Sequence, residues 1–260
     1  MSEKQVVIVT GAAQGIGRGI AEQFAQKGAT VVIADIDETT GQRTSDELNE
    51  TFGTPTLFVK TDVIEERSIQ QLMNMTIEKF GRIDCLVNNA GVTVFKPLHE
   101  ATIDDFDRVI NIDLRGAFLC SKYASEYMKK QEKGVILNIS SNHAVATLPD
   151  TEMYAAAKAG VNGMTRSMAL SLGKYGIRVN AICPGFTNSP HFQKWLDRDG
   201  KRAEVEEELT FLHASKRIGT PDDVGKLAVF LASDAAEMIT GTEILQDGGL
   251  SAHLYHSRIC

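Results

Sequence analysis

A doubly wound parallel α/β sheet is the architecture this chain predicts, on three observations. Apolar runs rich in β-branched residues recur along it, helical patterns fill the intervals, and a glycine-rich turn joins the first run to the first helix. Runs that are apolar throughout, rather than alternating, mark strands buried on both faces. Such strands return to the same sheet through crossover helices, and right-handed crossovers place helices on both faces.

The strand-like runs are Val6–Thr10, Thr30–Ala34, Thr56–Lys60, Cys85–Asn88, Val135–Ser140, Arg178–Ile182 and Glu243–Gln246. Helical patterns lie near Gly17–Lys27, Thr39–Phe52, Ile64–Phe80, Thr102–Lys130, Met153–Tyr175 and Pro221–Ser233. A sheet of about seven strands covered by helices follows. With no linker, repeat or low-complexity stretch, residues 1–260 are expected to form a single domain. One segment breaks the alternation. Residues 187–216 are polar and charged, carry the only tryptophan, Trp195, and follow the end of the sixth run. Long insertions at the ligand edge of such a sheet often close over a ligand, so this stretch is expected to be a helical substrate lid.

The first turn reads Gly11-Ala12-Ala13-Gln14-Gly15-Ile16-Gly17. A strand, a glycine turn and a helix in that order place free backbone N–H groups and the positive helix end at the carboxyl edge of the sheet, which suits a pyrophosphate. Gly11, Gln14, Gly15, Ile16 and Gly17 are the expected lining of that site. Its spacing, G-x-x-x-G-x-G, differs from the commoner dinucleotide fingerprint. Asp35 ends the second run, where an acid can accept hydrogen bonds from an adenosine ribose and would repel a 2′-phosphate. No base follows it; Ile36-Asp37-Glu38 continues the acidic character. NAD is therefore expected over NADP. Asp62-Val63 after the third run and Asn89-Ala90-Gly91 after the fourth fall on the same edge, suited to adenine and to a close backbone approach.

Tyr154 and Lys158 stand four residues apart at the start of a helical pattern, so phenol and ammonium share a face. A neighbouring ammonium favours the phenolate and is expected to make Tyr154 a general acid/base near neutrality. Ser141 follows the fifth run and is placed to hold a substrate oxygen. Asn111 is a poor helix former inside the Thr102–Lys130 pattern and is expected to serve a backbone or water contact.

Composition narrows the partners. The chain carries a net charge of −7, which disfavours nucleic acid or an anionic membrane surface as the main partner. No apolar run approaches the ~20 residues of a membrane span, and the first strand begins almost at the N-terminus, so a cytoplasmic protein is expected. The four cysteines, Cys85, Cys120, Cys183 and Cys260, are far apart and form no C-x-x-C pair, which predicts neither disulfides nor a metal site.

Taken together, Thr10-Gly11-x-x-x-Gly15-Ile16-Gly17, Asp62-Val63, Asn88-Asn89-Ala90-Gly91, Asn111, Ser141, Tyr154-x-x-x-Lys158, Asn180 and Pro184-Gly185 resemble the classical short-chain dehydrogenases/reductases over nearly the whole chain. The resemblance implies a Rossmann-type NAD-binding catalytic domain and a tetrad of Asn111, Ser141, Tyr154 and Lys158. In it, Lys158 holds the nicotinamide ribose and Asn111 positions a relay water. It also implies that Pro184, Gly185, Thr187 and Ser189 meet the nicotinamide carboxamide. Here the chain departs from the family's x-Ile-x-Thr pattern, reading Phe186-Thr187-Asn188-Ser189 with Ser189 retaining the hydroxyl. A homotetramer is implied as well.

The expected reaction moves a hydride between a secondary alcohol, or its ketone, and the nicotinamide, with no metal. Ser141, His143, Glu152, Tyr154 and Trp195 are the expected substrate contacts. The stretch around Ser141-Asn142-His143 resembles that of bacterial glucose dehydrogenases, and several polar side chains suit a sugar or polyol. A 3-oxoacyl-thioester reductase, a hydroxysteroid enzyme helped by Phe95, Phe186, Phe192 and Trp195, and a catalytically silent NAD sensor are the alternatives.

Overall fold

The computed structural model describes residues 4–197, 200 and 202–253. Its centre is a parallel sheet in the order β3-β2-β1-β4-β5-β6-β7. The strands are β1 (Val6–Thr10), β2 (Thr30–Asp35), β3 (Thr56–Lys60), β4 (Cys85–Asn88), β5 (Gly134–Ile139), β6 (Ile177–Pro184) and β7 (Glu243–Gln246). Every residue of β1, β4 and β5 is buried, as expected of strands covered on both faces. Neighbour order reverses between β1 and β4, so a crevice opens beyond their carboxyl ends.

Alternate side chains of one strand enter two separate cores. Val7, Val9, Val31, Ile33, Val87 and Leu137 pack against α1 (Gly15–Gln26), α2 (Glu38–Phe52) and α9 (Pro221–Ala232) through Ile20, Phe24, Leu48 and Leu231. Ile8, Val32, Leu86, Ile136 and Val179 meet α3 (Glu66–Phe80) and α5 (Gly116–Gln131) through Ile69, Leu72, Met73 and Met128. Each such fully buried aliphatic side chain is worth about 1.5–3 kcal/mol in transfer free energy, which makes the sheet the rigid platform. The chain between Thr102 and Lys130 is helical as expected, but not uniformly. α4 (Ile103–Val109) passes into a π turn over Ile110–Arg115 before α5 begins.

The N-terminal ends of α9 and α4 are fixed locally. Thr220 and Asp223 form a reciprocal capping box on α9, and Thr102 and Asp105 do the same on α4. The long helix α6 (Glu152–Gly173) follows β5 after a short 3-10 turn at Asn142–Ala144. A polar chain is buried where these elements meet: Asn88 Nδ2 donates to Ser121 Oγ (2.9 Å) and Asn138 Oδ1 (2.8 Å), and Asn138 Nδ2 donates to Thr165 Oγ1 (2.8 Å). It ties β4 and β5 to α5 and α6.

The insertion after β6 contains α7 (Pro190–Leu196) and α8 (Arg202–Leu212). It has its own small core of Phe192, Leu196 and Leu209, packed by Phe186, Trp195, Val205 and Ile218. Its base is closed by Gly219 N–H donating to Phe186 O (2.8 Å) and Asn188 N–H donating to Gly219 O (2.8 Å). Among the described residues no helix is long and apolar enough to cross a membrane. Cys85, Cys120 and Cys183 are buried free thiols; Cys260 lies outside the described residues.

Candidate active site

The glycine turn sits at the crevice, at the carboxyl end of β1. Gly11 and Gly15 have φ of 63° and 60°, in the left-handed region that side chains disfavour. A Cβ on Gly17 would come within 2.2 Å of Gly11 O, so this glycine lets helix and turn touch. A Cβ on Gly15 would stand 3.5 Å from Pro190 and 3.6 Å from Ser189, in the gap between the turn and α7. The N-terminus of α1 lacks both a side-chain cap at Gln14 and an acid in its first turn, unlike the capped α2, α4, α7 and α9. An uncapped helix start behind a glycine cradle fits a pyrophosphate.

The other expected cofactor residues share this edge, with roles the structure separates. Asp35 Oδ2 accepts from Ala13 N–H (2.9 Å) and Oδ1 from Asp37 N–H (3.0 Å), which pins the acid beside the turn. Next to it, Ile36 is 62% exposed, an apolar surface that an adenine ring would cover. Asp62 Oδ1 accepts from Ile64 N–H (3.1 Å), while Val63 is buried against Gly116. Asn89 turns its amide inward: Nδ2 donates to Thr10 O (2.9 Å) and Gly11 O (3.0 Å), so the side chain braces the glycine turn. Ala90 N–H donates to Thr10 Oγ1 (3.1 Å). Pro184 ends β6, and Gly185 passes so close to Asp247 that a Cβ would lie 2.7 Å from its Cβ. Thr187 is buried and donates to Gly185 O (3.0 Å); Ser189 caps α7 by accepting from Phe192 N–H (3.3 Å).

The side chains gathered around Tyr154 and Lys158 come from three elements. Lys158 is 4% exposed, and its Nζ lies 5.4 Å from the centre of the Tyr154 ring. Nζ donates to Ile139 O (3.1 Å) at the end of β5. It also stands 3.2 Å from Asp113 Oδ2, an ion pair whose carboxylate side chain is wholly buried. Asp113 Oδ1 accepts from Val92 N–H (2.8 Å), while Oδ2 accepts no well-aligned hydrogen bond. Burial works to lower the Lys158 ammonium, but the charges of Asp113 and Tyr154 outweigh it and hold the amine above its ordinary value. Burial pushes the Asp113 carboxyl up, against the opposing pull of Lys158 and the Val92 N–H. Gly91 is part of this arrangement: a Cβ there would come 3.0 Å from Asp113 Oδ2 and 3.3 Å from Lys158 Nζ.

The π turn carries both Asn111 and Asp113, and the side chain it sets against Lys158 is that of Asp113. Asn111 is half-buried in the same turn. The sequence held a signal for the acid. Val109, Asp113, Gly116 and Cys120 fall at helical spacing and are all buried, so one charge interrupts an otherwise uncharged stripe.

Ser141 is buried and accepts from His143 N–H (3.2 Å), capping the 3-10 turn. That turn sets His143 edge-on to Tyr154, with ring centres 5.4 Å apart and 77° between planes. His143 Nδ1 is shared with Thr147 Oγ1 (2.9 Å) and Thr151 Oγ1 (3.5 Å), and burial lowers its pKa, which keeps the ring neutral. Glu152 is exposed in the first turn of α6. Trp195 stacks among Phe192 (5.7 Å), Phe186 (5.9 Å) and Phe95 (6.3 Å). Phe95 belongs to the loop after β4, and that loop is tied to the segment before Tyr154 by Lys96 N–H donating to Asp150 O (2.9 Å). The aromatic group thus joins α7 to the rim near Tyr154. These four aromatics were expected together as aids to a hydroxysteroid substrate, and the fold brings Phe95 onto Trp195.

A family model described as Enoyl-(Acyl carrier protein) reductase matches residues 11–251. An uncharacterized oxidoreductase of Thermotoga maritima is 41% identical, over 98% of this chain and 99% of its own length. The cis-4-hydroxycyclohexanecarboxylate dehydrogenase of Sinomonas cyclohexanicum is 39% identical over 96% of this chain and 97% of its own. Among solved structures, levodione reductase superposes with a TM-score of 0.92 at 34% identity, covering 96% of this chain and 98% of that one.

Proposed function

Because the chain belongs to the short-chain dehydrogenase/reductase family of oxidoreductases, we propose that it interconverts a secondary alcohol and its ketone with NAD, using Tyr154 as general acid/base. The observation that carries this reading is the buried Lys158 ammonium 5.4 Å from the Tyr154 ring, at the carboxyl edge that holds the glycine turn. A bound nicotinamide supplies or accepts the hydride. The chain's own groups handle the proton. Tyr154 as phenolate takes it from the alcohol hydroxyl and as phenol returns it to the ketone oxygen in the reverse direction, and the ammonium stabilises the phenolate form. Ser141 orients the substrate oxygen. Asp35 favours NAD, since its carboxylate would repel a 2′-phosphate where no base offsets it.

For the substrate, a sugar or polyol is the first reading. Trp195 supplies a flat face for ring C–H groups, and Ser141, His143 and Glu152 supply polar partners. The aromatic group of Phe95, Phe186, Phe192 and Trp195 favours a second, a ring alcohol with an apolar body. The homologue acting on cis-4-hydroxycyclohexanecarboxylate supports that alternative. The insertion over residues 187–216 is proposed as the lid, with Ser189 facing the glycine turn. A homotetramer is supported by exposed apolar residues on α5 and α6, Phe118 at 48% and Leu170 at 86%.

The test is NADH formation from a panel of sugars, polyols, cyclohexanols, hydroxysteroids and 3-hydroxyacyl thioesters, with the Tyr154→Phe variant alongside. Turnover is expected to fall by at least about 10²-fold in the variant, the usual contribution of a positioned acid/base, with NADH binding retained. Full activity in Tyr154→Phe would remove the tyrosine from its role, and no activity toward any alcohol would leave the sensor reading.

A further inference from the structure

We infer that Asp113 is a permanent counter-ion to Lys158 that sets the pH at which Tyr154 exchanges its proton. The inference rests on the Tyr154 reading above and adds a positioning residue to it. A lone ammonium beside a phenol presents a full positive charge to it. Here that ammonium is 3.2 Å from a carboxylate whose side chain has no solvent exposure. Oppositely charged groups so close together act on a third group as a dipole, and the field of a dipole falls off faster with distance than that of a single charge. The phenolate of Tyr154 is therefore stabilised less than Lys158 alone would stabilise it, and the site works at a higher pH.

The geometry gives Asp113 no other task of equal weight. Its Oδ1 is held by the Val92 N–H (2.8 Å), which orients the carboxylate and leaves Oδ2 facing the ammonium. The backbone at Gly91 has no side chain, and one added there would press on both charges. Two further titratable groups near the pair or the phenol carry no charge at neutral pH. His143, from the turn after β5, is kept neutral by burial, and burial raises the Cys183 thiol at the end of β6 so that it stays protonated. Ile139 adds a carbonyl from β5, and Tyr154 itself comes from α6. Asp113 and Lys158 are thus the buried formal charges beside the phenol, while Glu152 on Tyr154's own helix is exposed to solvent, which screens it.

Asp113→Asn keeps the shape and the acceptor for Val92 while removing the charge. Tyr154 ionisation is read by phenolate absorbance as the difference between Asp113→Asn and Asp113→Asn/Tyr154→Phe, against wild type and Tyr154→Phe, all without cofactor. The midpoint is expected to drop by about one pH unit. The acid limb of kcat/KM for alcohol oxidation is expected to move the same way, while Asp113→Glu, which keeps the charge, leaves it nearer to wild type. A folded Asp113→Asn variant whose midpoint and acid limb stay put, or move upward because Lys158 loses its proton without its partner, overturns the inference. Should Asp113→Asn fail to melt cooperatively, Asp113→Ser, which also offers Val92 an acceptor, decides by the same two measurements. The absorbance titration needs no turnover. A wild type inactive on every alcohol counts against the Tyr154 reading, whereas an unmoved midpoint counts against Asp113.

Discussion

Asp35 offers both carboxylate oxygens to backbone N–H groups, of Ala13 at 2.9 Å and of Asp37 at 3.0 Å, and so stands fixed beside the glycine turn. On the proposed reading, discrimination against a 2′-phosphate would cost no ordering of the side chain on binding. Asp35→Ala is expected to raise the kcat/KM ratio of NADP over NAD by about tenfold or more, equivalent to ~1.4 kcal/mol. An unchanged ratio in paired initial-rate assays would mean that the acid only holds the turn. Single residues also mark the boundary of what was legible. Tyr154 and Lys158 could be paired from their spacing, because one helical turn brings them together wherever the helix lies. Asn89 belonged to the right cluster, yet its amide braces Thr10 and Gly11, a contact across two strands that spacing cannot reveal. Asn111 was expected to position a relay water, and the side chain of that same turn that stands against Lys158 is Asp113, two residues on.

Which side chain of that turn faces Lys158 is an element's doing. In a regular α-helix the rotation per residue is fixed, and a pattern read at that period assigns each side chain a direction. The π turn at Ile110–Arg115 adds a residue to the turn and re-aims everything beyond it, a common device near functional sites. No composition signal separates α4, the π turn and α5 into three pieces. The insertion behaves differently. Its boundaries at 187 and 216 were visible as a break in the strand–helix rhythm, and the structure closes its base at Phe186, Asn188 and Gly219. Its internal packing was not visible, because Trp195 finds its stacking partners from α7, from the segment just after β6 and from the loop after β4. Trp195→Ala is expected to raise KM for the substrate by about tenfold, as loss of a buried aromatic contact predicts, while the Kd of NADH changes little. An unchanged KM with every substrate turned over would show that the insertion does not cover the pocket.

Across the molecule as a whole, stability is divided between a sheet that does not titrate and helix starts that do. The two cores on either side of the sheet are apolar and carry no carboxylate or ammonium to titrate. The capping acids are not. Asp223 is held well below the usual carboxylate range by Arg217, with Thr220 assisting, and Asp105 likewise by Lys96 and Thr102. A carboxyl whose folded value lies below its unfolded value of about 4 adds stability that is complete above that pH and is lost as pH falls further. The melting temperature is therefore expected to decline steadily from about pH 5 to about pH 2, and Asp223→Asn is expected to flatten that decline. An equally steep decline in the variant would locate the acid sensitivity elsewhere.

The amino-acid order determined the strands, the covering helices, the glycine turn and the Tyr154–Lys158 pair, since each depends on residues within a few turns of one another. The sequence marks Asp113 as the one charge on its stripe and names the four aromatics, but the fold alone decided that Asp113 meets Lys158, which way Asn89 points, and how Phe95 comes to stack on Trp195. Those outcomes depend on side chains distant in sequence, and their meeting is set by strand order, by one irregular helical turn and by packing density, none of which leaves a periodic trace in the chain.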